Sequence, residues 1–211
     1  MLRANNYKKS TVMMLSRVVL SLLVMSGSHA YAEALPEMMQ QLRSGGYILY
    51  MRHAATDHQQ QDHPELKVSD CASQRNLSVQ GKEYAAQVAA FLSFWKIPIS
   101  TVISSPLCRS KDTATLIFGR STPKDFLYFS AGLGHEMRER YSLNLRRYLN
   151  QPVAQGSNLA VVGHTSNLLE AVGIWPEPEG VIHLFRPQLG GKPAHVGYIS
   201  PDDIRLWVSS Q

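Results

Sequence analysis

The sequence predicts an α/β fold, a three-layer α/β/α sandwich around a mostly parallel central sheet. Short apolar runs such as 47–51 (YILYM) and 158–162 (NLAVV) have the length and composition of buried strands. They alternate along the chain with longer segments of helical periodicity. Strands and helices that alternate in this way are typical of a largely parallel sheet with helices on both faces. The pattern contains neither an internal repeat nor a second domain.

Each predicted element has its own signal. Gly or Pro bounds several of the apolar runs, and Ser78 has a side chain suited to the N-cap of the first long helix. The polar segment 55–76 is predicted to be a long surface loop, and such loops are often functional. In chain order the elements are a strand at 47–51, a helix at 78–95, a strand at 101–103, a helix at 107–118, a strand at 126–129, a helix at 137–149, a strand at 158–162, a helix at 165–173, and strands at 181–185 and 195–199.

The positive charge of the chain is concentrated at its beginning. The formal net charge is +5 for 211 residues. Residues 1–32 hold four basic residues and no acidic one, which leaves +1 for residues 33–211. A basic face for nucleic acid therefore has little compositional support, and we expect no nucleic-acid partner.

The first residues also have the parts of a secretory signal. A basic stretch is followed by the apolar run 18–25 (VVLSLLVM) and by a small-x-small site, AYA, at 30–32. A run of this length is too short for a permanent bilayer-spanning helix, which needs about 20 residues. We expect residues 1–32 to be a signal peptide and residues 33–211 to be the mature domain, periplasmic or secreted and without stable membrane insertion. An uncleaved N-terminal anchor is the alternative.

The chain has two cysteines, Cys71 and Cys108. In an oxidising compartment they can form a disulfide that joins the polar loop to the segment beside Arg109. Two free buried thiols are the alternative. The CxxC and CxxH spacings of zinc sites do not occur, so we expect no structural metal.

Basic and titratable residues follow three of the predicted strands. Arg52 and His53 come directly after the first strand, Arg109 lies just past the second, and His164 follows the NLAVV strand. Ligands of open α/β sheets gather at the carboxyl ends of the strands. Each residue alone has a structural explanation, but their joint placement indicates a site for an anion. The other histidines show no metal-ligand spacing and are predicted to be mostly exposed; they are His58, His63, His135, His183 and His195.

Four segments carry a resemblance to a known family: LYMRHAATDH, NLSVQGKEYAAQVAAFL, VISSPLCRSKDTA and VVGHTSN, all within residues 47–167. In this order they resemble the histidine phosphatase superfamily, which includes cofactor-dependent phosphoglycerate mutases and acid phosphatases. Within it the chain looks most like small exported members, including lipopolysaccharide heptose-phosphate phosphatases. The resemblance implies a phosphoglycerate mutase-like fold and a phosphatase with a small phosphorylated substrate and no cofactor.

The chemistry of phosphate esters explains these residue types. The neutral imidazole of His53 can attack phosphorus without charge repulsion and form a phosphohistidine. Arg52 and Arg109 can each direct two donors to the equatorial oxygens of the phosphoryl group. A protonated His164 would add a further donor and a positive charge. This cationic cluster supplies the electrostatic stabilisation that a metal supplies elsewhere, so no metal is required.

The proton donor for the leaving group is less defined by the sequence. The resemblance implies either an Asp directly after the second His, where this chain has Thr165, or a Glu from a loop. Glu136 leads narrowly because it lies in the segment where a loop Glu is expected. The alternatives are Glu139, Glu170 and Glu179, and for each of the four a solvated surface position is the competing interpretation.

Further contacts to the substrate are expected from Thr56, Gln59, Asn76 and Ser105. Gln59 stands where mutases often have a phosphate-binding Asn, and Ser105 alternatively shapes the turn before Pro106. The natural substrate and the oligomeric state stay open.

Three other functions compete with phosphatase activity. A non-catalytic phosphate- or sugar-phosphate-binding module would keep the arginines but lack a working acid. A phosphoglycerate mutase-like phosphotransferase would have to protect its phosphohistidine from water. A structural envelope protein would carry the RH dipeptide incidentally.

Overall fold

The computed structural model describes residues 35–188 and 190–211. The predicted signal peptide, residues 1–32, lies outside these residues, so it stays a prediction. The chain divides into two compact units, residues 1–41 and residues 42–211. The described part of the first unit, 35–41, is helical, and apart from this helix all that follows concerns the second unit. In the described part of the chain, no helix combines the length and the apolar character needed to cross a membrane.

The described residues form one six-stranded mixed sheet, with the strand order β3-β2-β4-β1-β5-β6. The first four strands pair in parallel, and β5 and β6 complete one side of the sheet in antiparallel orientation. The predicted α/β class with a mostly parallel sheet is confirmed, and the structure shows which two strands run antiparallel. The strands are β1 (Ile48–Arg52), β2 (Ile99–Ser104), β3 (Thr122–Pro123), β4 (Asn158–Gly163), β5 (Ile182–Arg186) and β6 (Ala194–Ile199).

Helices cover both faces of the sheet. Successive side chains of a strand point to opposite faces, and Ile48 and Tyr50 of β1 belong to one apolar cluster with Leu145 and Leu168. The latter two come from α4 and α5, which pack together, while α2 packs against α3 and α6. In chain order the helices are α1 (35–44), α2 (Val79–Phe94), α3 (Cys108–Phe118), α4 (His135–Tyr148), α5 (Thr165–Val172) and α6 (Pro201–Ser209).

The helix boundaries follow local chemistry. Ser78 is the N-cap of α2, as predicted, and its hydroxyl accepts a hydrogen bond from the Gly81 N–H at 3.0 Å. Helices α3 and α5 end at Gly119 and Gly173, which have φ angles of +70° and +78°. Glycine adopts this left-handed conformation without the penalty that a Cβ brings.

One expectation about the elements was wrong, and one helix was missed. The apolar run 126–129 is not a strand: Asp125–Leu127 is a 3₁₀ turn that buries Leu127, and the strand beside β2 is the preceding Thr122–Pro123. Short apolar runs do not by themselves separate a strand from a buried turn. The helix Pro201–Ser209 was not predicted, although Ser200 and Asp203 form a capping box and Pro201 stands at its first position.

Candidate active site

The register of three parallel strands brings the motif residues together. Strand β4 lies between β1 and β2, with Arg52 opposite Gly163 and Ser104 opposite Val162. The ladder continues past the strands, because the His53 N–H donates to the Gly163 carbonyl at 3.1 Å. The residues that follow these strands therefore lie at one edge of the sheet, as predicted from their order.

The two motif histidines are buried neighbours at this edge. The ring centroids of His53 and His164 are 5.2 Å apart with an interplanar angle of 66°. The His53 Nδ1 lies 2.9 Å from the Ala54 carbonyl oxygen. A carbonyl can only accept, so Nδ1 carries the proton and Nε2 has a free lone pair. The His164 Nε2 is 2.8 Å from the Ser105 hydroxyl.

Both imidazoles are held neutral. Burial lowers the pKa of His53 to about 3, and the positive charges of Arg109, Arg52 and Arg75 act in the same direction. Burial also lowers the pKa of His164 well below its usual 6.5, followed by the influence of His53 and the same arginines. The free site therefore holds a neutral His53, the form that a nitrogen nucleophile requires.

Arg109 lies in the first turn of α3 and is 2% exposed. Its Nη1 donates to the Asp62 carboxylate at 2.9 Å and to the Arg75 carbonyl at 3.3 Å. Its Nε is buried without an acceptor in the described part of the protein. Burial lowers the pKa of this guanidinium, and the hydrogen bond and charge of Asp62 oppose that shift.

Arg52 is held by the segment before β5. Its Nη1 donates to the Glu177 carboxylate at 2.9 Å and to the Pro176 carbonyl at 3.3 Å, and its Nη2 is 3.5 Å from the Glu179 carboxylate. Its Nε also lacks an acceptor among the described residues. The buried Arg109 and the partly buried Arg52 thus both retain donors that an anion can satisfy.

Of the four candidate carboxylates, Glu179 is the one that lies beside Arg52 and His53. Its oxygens accept from the Thr56 hydroxyl and N–H, both at 3.0 Å, and Oε1 lies 3.9 Å from the His53 Nδ1. The reason is the antiparallel β5: its start lies at the carboxyl end of β1, where the Gly180 N–H donates to the His53 carbonyl at 3.0 Å. An antiparallel β5 beside β1, had it been predicted from the sequence, would have favoured Glu179 as the proton donor.

The other three candidate carboxylates lie elsewhere. Glu136 is exposed in the first turn of α4 and makes no hydrogen bond or ion pair in the described part of the chain. Glu170 is 4.0 Å from Arg138 on the α4–α5 side, and Glu139 is exposed. The narrow lead of Glu136 therefore finds no support in the contacts.

The predicted substrate-binding residues separate into two groups. Thr56 and Ser105 are buried at the site, bonded to Glu179 and His164 respectively. Gln59 is exposed and hydrogen-bonds only through its backbone N–H. Asn76 donates its side-chain amide to carbonyls of its own loop, those of Cys71 and Gln74, both at 2.8 Å. In the described part of the chain, these last two residues thus make no hydrogen bond to the four motif side chains.

Two more motif residues shape the backbone around His53. The Thr113 hydroxyl accepts from the Ala54 N–H at 3.1 Å and donates to the Arg109 carbonyl at 2.7 Å. A Cβ at Gly81 would lie 2.0 Å from the Ala55 carbonyl oxygen. Helix α2 therefore needs glycine at this position to approach the backbone of residues 54–55, just after His53, so closely.

The polar loop 55–76 contributes residues that sequence reasoning missed. Cys71 and Cys108 form a disulfide with a Cα–Cα distance of 5.7 Å, so of the two alternatives the paired one is found. The Gln74 side chain accepts from the Cys108 N–H at 2.8 Å. Asp62 contacts Arg109, and Arg75 is close enough for its charge to act on both histidines. No strand end or periodicity marks these two residues in the sequence.

A phosphate-sized anion suits this arrangement better than a cation. The described residues contain no group of three or more His, Cys, Asp or Glu side chains that could hold a metal ion. The Nε donors of Arg52, Arg75 and Arg109 are buried without acceptors in the same part of the chain. A tetrahedral oxyanion could accept from several of these donors at once.

Comparisons with known proteins agree with this geometry. Residues 48–126 match the model of the histidine phosphatase superfamily, branch 1. No curated protein sequence matches the chain. Among solved structures, the protein histidine phosphatase SixA complexed with tungstate is 18% identical at a TM-score of 0.52, covering 75% of this chain and 99% of its own.

Two further structures show the same fold. A phosphoserine phosphatase mutant from Entamoeba histolytica, in complex with phosphoserine, is 14% identical with a TM-score of 0.52, covering 74% of this chain and 98% of its own. YhfR from Bacillus stearothermophilus is 13% identical with a TM-score of 0.53, covering 74% of this chain and 98% of its own. The resemblance drawn from the motifs is therefore confirmed: residues 48–126 match the model of the histidine phosphatase superfamily, and the solved structures share the fold.

Proposed function

We propose that this protein is a phosphomonoester hydrolase that works through a phosphohistidine on His53. The observation that carries the proposal is the state of the His53 ring. Its Nδ1 is fixed by the Ala54 carbonyl at 2.9 Å, which leaves the Nε2 lone pair free beside guanidinium donors that lack acceptors. Such a nitrogen is prepared to attack phosphorus.

The first step transfers the phosphoryl group to the protein. The His53 Nε2 lone pair forms a bond to phosphorus, and the ester P–O bond breaks with its electron pair on the leaving oxygen. Arg52 and Arg109 neutralise the charge on the non-bridging oxygens as it spreads in the transition state. Water then attacks the phosphorus and releases orthophosphate, which restores the lone pair on Nε2.

Glu179 is the proposed proton donor for the leaving oxygen. It is 10% exposed and lies 3.5 Å from Arg52 and 3.9 Å from His53. The negative charge of a bound phosphate favours the protonated form of a neighbouring carboxyl group. Glu179 would donate this proton to the leaving group and recover one from the attacking water.

The substrate belongs to the same proposal. We infer a small phosphorylated compound of the periplasm or cell envelope, in keeping with the signal-like first residues and with the disulfide between Cys71 and Cys108. The structurally similar proteins include one named a protein histidine phosphatase and one named a phosphoserine phosphatase, so phosphorylated side chains belong in any substrate panel. The reaction as proposed needs no metal, because arginines supply the positive charge.

The test combines turnover with a trapped intermediate. The purified protein should hydrolyse p-nitrophenyl phosphate in the presence of EDTA. Quenching in alkali during turnover of a ³²P-labelled ester should retain a phosphoryl group that acid releases, and His53→Asn should abolish this label. Phosphate binding without turnover would instead identify a binding module. Transfer to a second alcohol in preference to water would identify a phosphotransferase.

A further inference from the structure

The polar loop and helix α3 are joined at one place, directly beside Arg109. The Cys71–Cys108 disulfide connects them, and Cys108 precedes Arg109 in the chain. The Gln74 side chain binds the Cys108 N–H at 2.8 Å. A loop attached at this point can control the orientation of the neighbouring guanidinium.

We propose that Asp62 is a positioning residue for Arg109, holding one edge of its guanidinium so that the other edge is presented to phosphate. This inference rests on the proposed function. The Asp62 Oδ1 accepts from the Arg109 Nη1 at 2.9 Å. The same oxygen accepts from the Arg75 N–H at 2.8 Å. The carboxylate is therefore fixed by the backbone of its own loop while it binds the arginine.

The occupied and free donors of Arg109 show which edge is held. Both acceptors, Asp62 Oδ1 and the Arg75 carbonyl, bind Nη1. Nε is buried without an acceptor among the described residues, and no hydrogen bond of Nη2 occurs there. Nε and Nη2 form the planar fork that binds two oxygens of a phosphate. Asp62 thus leaves the phosphate-binding edge open.

Positioning and simple charge predict effects of opposite sign. By charge alone, removing a carboxylate from a cationic site strengthens the binding of phosphate. If Asp62 orients Arg109, its removal instead frees a buried guanidinium from its anchor and weakens phosphate binding. A misplacement of a catalytic group by about 1 Å can cost on the order of 10²-fold in rate. The direction of the change therefore identifies the role.

The experiment compares Asp62→Asn with Asp62→Glu and with a matched control. Asp57→Asn makes the same change on the same loop, where the carboxylate binds the Gln59 N–H and the Gln60 side chain instead. For Asp62→Asn we expect kcat/KM for p-nitrophenyl phosphate to fall about 30-fold and the inhibition constant of orthophosphate to rise about tenfold. Asp62→Glu should recover part of the kcat/KM and part of the orthophosphate affinity. Asp57→Asn should match the wild type in both quantities.

A second background tests whether the effect passes through Arg109. In Arg109→Lys there is no fork to orient, so adding Asp62→Asn should change orthophosphate binding less than about twofold. Tighter orthophosphate binding by Asp62→Asn, or wild-type values for it, would overturn the inference.

Failure of the proposed function would look different. The wild type itself would then lack turnover, and the thermal shift caused by orthophosphate would be measured for the five variants in place of kinetics. Equal shifts for wild type and Asp62→Asn would still contradict the role of Asp62. Circular dichroism and the melting temperature of each variant separate loss of fold from loss of orientation.

Discussion

Two pairs of histidines lie at nearly the same spacing in this protein. The ring centroids of His53 and His164 are 5.2 Å apart, and those of His183 and His195 are 5.1 Å apart. The pKa of every one of these histidines is lowered, with burial as the first cause. Distance between rings and direction of the pKa shift therefore do not separate a candidate active site from a structural contact.

The partners of the rings separate the two pairs. The His183 Nδ1 and the His195 Nε2 are 3.0 Å apart and bond to each other, between strands β5 and β6. His53 and His164 instead bond to the Ala54 carbonyl and the Ser105 hydroxyl, and three arginines act on them. Donors and charge directed at a shared space, more than a perturbed pKa, mark the catalytic candidate.

The largest expected effect comes from removing one ring of each pair. Asn cannot act as the nucleophile, so His53→Asn should lower kcat/KM for p-nitrophenyl phosphate by about 10³-fold or more. His183→Asn should stay within about twofold of the wild type, because in the described part of the protein no arginine is among the groups that shift the pKa of that pair. Equal losses in the two variants, measured at matched folded fractions, would remove the distinction between the pairs.

The second effect tests the arginines that distinguish the first pair. Lys keeps the positive charge but loses the two-pronged geometry. Arg52→Lys and Arg109→Lys should each lower kcat/KM by about 10²-fold, with a weaker inhibition by vanadate. Arg186→Lys is the matched control, since Arg186 lies at the end of β5 and donates to the Tyr47 hydroxyl. Retained activity in both site variants would show that charge alone suffices.

The sequence could predict the parts of the site that depend on strand ends. Arg52 ends β1, His53 and His164 directly follow β1 and β4, and parallel neighbours end at one edge of a sheet. Arg109 follows from the same order together with its motif. The α/β class was predictable for a similar reason, because its periodicities are local.

The remaining parts depend on contacts between distant segments. Glu179 reaches the site only because β5 runs antiparallel beside β1, and alternating apolar runs do not specify that direction. Asp62 and Arg75 are placed by a loop whose shape comes from the Cys71–Cys108 disulfide and from side chain-to-backbone hydrogen bonds. The five other histidines were expected to be mostly exposed, but His183, on the strand that pairs antiparallel with β6, is only 7% exposed.

The third prediction concerns the carboxylate beside the first pair. Glu179→Gln keeps an acceptor for the Thr56 hydroxyl but cannot donate the proton that an alkoxide needs. We expect kcat for an alkyl phosphate to fall about 10²-fold and kcat for p-nitrophenyl phosphate to fall less than about tenfold, since nitrophenolate leaves without full protonation. Glu136→Gln should leave kcat unchanged for both substrates. If the two Glu179→Gln losses are equal, Glu179 acts by holding its neighbours in place.

The smallest effect belongs to the second pair and concerns stability. Burial, and then the neighbouring His195, lower the pKa of His183 to about 4. In the unfolded chain His183 binds a proton below about pH 6.5, whereas in the folded protein its ring stays neutral until about pH 4. The pair therefore contributes stability above pH 6.5 that is lost as the pH falls through this window.

A double variant isolates that contribution. His183→Asn with His195→Asn should show a smaller drop in the urea midpoint between pH 7 and pH 5 than the wild type, measured by circular dichroism. Part of the drop should remain, because His53, with its pKa at about 3, and His164 lose stability in the same direction. If the urea midpoint of the double variant drops as much as that of the wild type, His183 and His195 do not stay neutral in the folded protein. The pH dependence of stability would then arise at other groups, among them His53 and His164, where the arginines oppose protonation.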